Sequence, residues 1–186
     1  MPALINLTSA SLAWKKTGGT GPTFSLETRE GTAATLAFLP EDPTLARVET
    51  SGGAWTLKHS RFPASSVTLR QAGSKTDLAM FHPHLVGNGK LVFQGDETFD
   101  WVRIGGIHPG AAFLDADGLP LVQLTVNPDG TSRSAPEDTP LALVDISQPH
   151  RRLADPALLA AIGWYLLQLE TLLEDPGVAA ETSLRM

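Results

Sequence analysis

Apolar and polar positions alternate with a period close to two from residue 3 to residue 146. Phe24/Leu26, Leu36/Phe38, Trp55/Leu57, Val67/Leu69, Leu91/Phe93 and Phe99/Trp101 each place two apolar side chains on one face of an extended segment. The pattern predicts strands at 3–7, 10–15, 23–28, 32–39, 44–50, 54–59, 64–71, 76–81, 90–94, 98–104, 111–115, 119–126 and 141–146. Threonine and valine enrichment agrees with this assignment. Turn residues separate the runs, including Glu30-Gly31, Gly52-Gly53, Gly73-Ser74, Gly87-Asn88-Gly89 and Asp117-Gly118. Short strands with such turns between them indicate an antiparallel sandwich or barrel.

The period changes at Asp155. An acceptor side chain followed by Pro156 is a helix start, because proline's missing N–H costs nothing in the first turn. Asp175-Pro176-Gly177 is a stop. Between them, Leu158, Ile162, Tyr165, Leu166, Leu169, Leu172 and Leu173 form one helical face, while Ala160, Ala161, Trp164 and Leu167 make the opposite face apolar too. A surface helix carries a polar stripe, and a helix that is apolar all round is buried. The uncharged run is shorter than the roughly 20 residues that span a bilayer, so no transmembrane segment is expected. Packed on a flat sheet, this helix would leave one apolar face wet. Threaded through a closed sheet it is covered everywhere, and the sheet loses its edges. Each buried Leu or Ile is worth about 1.5–3 kcal/mol, which favours enclosure.

The expectation is therefore a mainly β protein: an antiparallel closed barrel of about twelve strands around a hydrophobic C-terminal helix at 155–174. Residues 1–176 form a single domain on this reading, and 177–186 a tail. The alternative is a calycin-like barrel with an external helix. In its order of elements the chain resembles the tubby C-terminal-like superfamily, which includes LURP-one-related proteins and phospholipid scramblases. Phe99-Asp100-Trp101-Val102, followed by Ala112-Phe113-Leu114-Asp115-Ala116-Asp117-Gly118, is similar to that family's late strands, with Asp115 and Gly118 matching its D-x-x-G-type turn. The resemblance implies a strand cage around a core helix. It does not carry over the family's phosphoinositide-binding residues, which find no counterparts position by position.

Composition narrows the chemistry. The 186 residues carry a net charge of −6, which argues against nucleic acid as a general partner. The charge is uneven: residues 1–93 hold nine Lys/Arg against six Asp/Glu, and residues 94–186 hold five against fourteen. The absence of cysteine removes disulfides, thiolate metal sites and cysteine nucleophiles. The N-terminus lacks the basic and apolar regions of a signal peptide, so the expected location is cytoplasmic.

Two functional readings follow. In the first, a non-catalytic binding or scaffold module takes anionic lipid, phosphate or a protein partner. Its candidate ligand-binding residues are Lys15, Lys16, Lys58, Arg61, Arg70 and Lys75, and no cofactor is expected. Nucleophile-elbow, Walker A and dinucleotide motifs are absent from the sequence, so catalytic residues are not assigned. In the second, His82 and His84 bind a metal in an enzyme, because alternate positions of an extended segment place both imidazoles on one side. No carboxylate follows them closely. Asp115-Ala116-Asp117-Gly118 resembles the opening of a calcium loop, but Val126 stands where its last ligand belongs, so a hairpin turn is expected there.

Overall fold

The alternating pattern becomes twelve strands in the computed structural model, which describes residues 12–18, 21–107, 109–127, 139–147 and 155–174. In chain order the strands are β1 (Leu12–Thr17), β2 (Thr23–Thr28), β3 (Gly31–Leu39), β4 (Asp42–Thr50), β5 (Gly53–Ser60), β6 (Ser66–Gln71), β7 (Asp77–Pro83), β8 (Gly89–Phe93), β9 (Thr98–Ile104), β10 (Gly110–Leu114), β11 (Pro120–Val126) and β12 (Ala142–Ile146). Helix α1 (Pro156–Glu174) follows. Each strand pairs antiparallel with its sequence neighbour, and β12 closes on β1. Twelve of the expected strands thus appear, with ends within two residues of those expected. The remaining one, at 3–7, lies outside the described residues, as does the 177–186 tail.

Closure follows from the pleat. Leu12, Trp14, Leu26, Leu36, Val48, Leu57, Leu69, Leu91, Trp101, Phe113 and Leu124 point inward and are buried. Most of their described neighbours in sequence are half-buried or exposed. Inside lies α1, in contact with opposite sides of the wall. Trp164 stacks on Trp14 of β1 with ring centroids 5.9 Å apart and meets Phe24 of β2 edge-on. Tyr165 stacks on Phe38 of β3. A Cβ on Gly163 would come within 2.9 Å of Leu124 of β11 and 3.1 Å of the Trp101 ring of β9, so glycine there sets how closely the helix can approach. Every residue from Ala157 to Leu167 is buried. The external-helix alternative is therefore overturned, because no helical face is left for solvent. By length and composition Pro156–Leu173 is apolar enough to cross a membrane, but here the barrel supplies its apolar surroundings.

Tyr165, Trp14 and Trp164 bring polar atoms into the helix–wall contact. Tyr165 Oη donates to the Thr44 carbonyl, where β4 enters the wall, and burial pushes its pKa well above the ordinary phenol range. The indole N–H groups of Trp14 and Trp164 lack a hydrogen-bond partner among the described residues. Such an omission costs about 1–3 kcal/mol each, set against burial of two of the largest side chains in the protein.

Candidate functional site

With α1 in the lumen, a ligand has the two mouths and the outer wall. The helix enters beside the turns β2–β3, β4–β5, β6–β7, β8–β9 and β10–β11. It leaves beside the connections β1–β2, β3–β4, β5–β6, β7–β8, β9–β10 and β11–β12.

At the entry mouth the start of α1 is fully capped. Asp155 Oδ1 accepts the amide hydrogens of Ala157 (3.0 Å) and Leu158 (3.2 Å). Its other oxygen accepts the Thr50 hydroxyl of β4. Gly52 allows this contact, since a Cβ there would lie 2.9 Å from the same oxygen. Beside the cap is a cavity of about 270 Å³, lined by Trp55, Leu78, Phe93, Phe99, Leu158 and Leu159, with Glu97 and Asp155 at its rim. The described turns here carry the carboxylates Glu30, Asp96, Glu97, Asp115, Asp117 and Asp155 against Arg29 and Lys75, so among the described residues this mouth carries a negative excess. Asp115 and Gly118 form the expected hairpin turn: Asp115 Oδ1 accepts the amides of Asp117 and Leu119.

The exit mouth differs in both charge and polarity. Its described connections carry Glu41 against Arg61, while Arg103 and Glu170 pair at 3.4 Å. Of the five large hydrophobic side chains exposed among the described residues, three stand here. They are Phe62 (87% exposed), Val86 (89%) and Ile107 (87%). They occupy β5–β6, β7–β8 and β9–β10, successive connections on one rim. Tips two strands apart on a wall with about 4.8 Å between strands stand roughly 10 Å from each other. Below them a recess of about 110 Å³ is lined by His59, Ser65, Phe81, Trp101, Leu166 and Leu169, among others. His59 Nε2 lies 3.1 Å from Ser65 Oγ. Burial holds the imidazole pKa below its usual value, and the Arg61 guanidinium adds to the effect, so the ring is neutral at pH 7.

The six basic candidates do not share one surface. Lys58 pairs with Asp42 at 3.5 Å and Arg70 with Asp77, both on the outer wall. Burial pushes the Asp42 carboxyl upward, but the Thr44 hydroxyl and amide and the Lys58 charge outweigh it, leaving the pKa below its ordinary value. Arg61 is in the exit connection β5–β6 and Lys75 in the entry turn β6–β7. The six-residue β6 separates them by about 20 Å at 3.3 Å per residue. Lys15 and Lys16 are adjacent on β1, paired opposite Ser25 and Phe24, and so project to opposite sides of the pleat. His82 stands opposite Lys90 across the β7–β8 ladder, and His82 and His84 are both exposed. Among the described residues no three His, Cys, Asp or Glu side chains converge as a metal site. His108 lies outside the described residues.

A binding surface expected from charge does not include Phe62, Val86 and Ile107. A weak signal existed, since each is an apolar residue inside a stretch otherwise rich in Gly, Pro, His or Ser. Comparison of the chain with protein-family models, curated proteins and solved structures finds no match.

Proposed function

We propose that this protein is a non-catalytic binding module that docks on an anionic lipid surface through the exit mouth of its barrel. The observation that carries the reading is the set of three exposed apolar tips on successive connections of one rim. Inserting a Phe, Val or Ile side chain into an acyl layer recovers about 1.5–3 kcal/mol each, and three acting from one rigid rim add. Charge orients the approach. Among the described residues, the carboxylates that an anionic surface repels gather at the entry mouth, and the exit mouth places Arg61 beside Phe62. Backbone strain supports the same face: Val86 has φ = 62°, a left-handed conformation uncommon for a β-branched residue, and such strain concentrates at functional sites.

The proposal revises the sequence expectation in one respect. Lys58 and Arg70 belong to ion pairs on the wall, and from the six basic candidates it retains Arg61 at the docking edge. It includes a cytoplasmic location, where the membrane leaflet is anionic. It also includes kinship with the tubby C-terminal-like superfamily, supported by a closed wall of twelve strands around a C-terminal helix.

Co-sedimentation with vesicles of phosphatidylcholine, with and without phosphatidylserine, tests the docking. The intact protein should partition onto the mixed vesicles. A Phe62→Ser/Val86→Ser/Ile107→Ser variant should fold with an unchanged circular dichroism spectrum and bind at least about a hundredfold more weakly, since about 1.4 kcal/mol is a factor of ten. Equal partitioning of the two proteins would remove the docking face.

A further inference from the structure

The geometry points to a second site, at the entry mouth, for a small aromatic or alkyl ammonium ion. This site uses none of the residues of the proposed docking face. The cavity of about 270 Å³ between α1 and the β4–β5 and β8–β9 turns is open at the rim and apolar within. Its size is slightly below the range of about 300–1,000 Å³ common for small-molecule sites, so it fits one ring with a short arm. The walls are aromatic: Phe93 and Phe99 meet edge to face with centroids 5.9 Å apart, and Trp55, beside Gly52 and the cap, lines the same recess.

Electrostatics decides the sign of the ligand. A helix N-terminus ordinarily attracts anions through its first amides. In α1 those amides are already occupied. Pro156 has none, Ala157 and Leu158 donate to the Asp155 carboxylate, and Leu159 donates to the Asp155 carbonyl. Among the described residues, the charges left beside the recess are negative. Asp155 offsets the helix dipole, and Glu97 lines the cavity with its carboxylate unpaired among the described residues. Asp96 adds a further negative charge in the same turn. A carboxylate lining an aromatic-walled recess is an environment that holds an organic cation, by ion pairing and by cation–π attraction. A carboxylic acid of the same shape meets only repulsion there.

Isothermal titration of the intact protein with 2-phenylethylammonium, 3-phenylpropanoate and 2-phenylethanol tests the assignment. The ammonium ion should bind about tenfold or more tightly than either counterpart. Glu97→Gln, a change within an exposed turn, should erase that preference while leaving 2-phenylethanol binding in place. Glu97→Lys should reverse it toward 3-phenylpropanoate. Leu158→Phe, which fills the recess, should weaken all three ligands. Equal affinity for the three ligands, no binding of the ammonium ion, or a preference that survives Glu97→Gln would overturn the site. Failure of vesicle docking would leave these outcomes unaffected.

Discussion

Val86 shows at the scale of one residue how a local conflict points to function. A branched side chain at φ = 62° is strained, and at 89% exposure it recovers nothing from packing. Asn88 stabilises the connection around it, since its Oδ1 accepts the Arg103 amide at 2.8 Å. Glycine adopts the same backbone without strain. The Val86→Gly variant should therefore be more stable by about 1 kcal/mol, seen as a higher urea midpoint, and should bind anionic vesicles more weakly. Greater stability with undiminished vesicle binding would show that Val86 has no part in docking. Ion pairs are the other lesson at this scale. Lys58 and Arg70 read as a basic face in the sequence because the 51–93 segment holds a single acid, Asp77. Asp42, nine residues before that segment, meets Lys58 through the β4–β5 ladder. Such pairings depend on strand register, which composition does not report.

Among the elements, α1 and the strands were legible for the same reason: each writes its surroundings into its period. A two-residue alternation marks a wall with one dry face, and an all-apolar helix marks a cylinder dry on every side. Asp155 was legible as a cap because it precedes Pro156, and its amide bonds bear this out. The connections were not legible, since three loop tips meet on one rim only after the strand order is known. Enclosure itself makes a quantitative expectation about α1. Ile162 has no exposed surface, whereas Leu166 borders the exit recess. A buried unpaired carboxylate costs several kcal/mol, against a total stability of about 5–15 kcal/mol. Ile162→Asp should abolish the cooperative unfolding transition, and Leu166→Asp should lower the midpoint by less. A folded, cooperative Ile162→Asp protein would contradict enclosure of this helix turn.

For the whole molecule, filling the lumen moves recognition to the ends. The two mouths then differ in sign and in polarity. Among the described residues, one carries a negative excess around an aromatic recess, and the other carries three apolar tips with its few charges balanced. An anionic surface meeting this charge distribution should orient the barrel with its helix axis toward the membrane and the entry mouth away. The most direct test is hydrogen–deuterium exchange of the intact protein with and without phosphatidylserine-containing vesicles. Slowed exchange should be confined to 61–65, 84–88 and 105–107, with the entry turns 72–76 and 94–97 unchanged. Protection centred on the outer wall around Lys58 and Arg70, or on the entry turns, would contradict it.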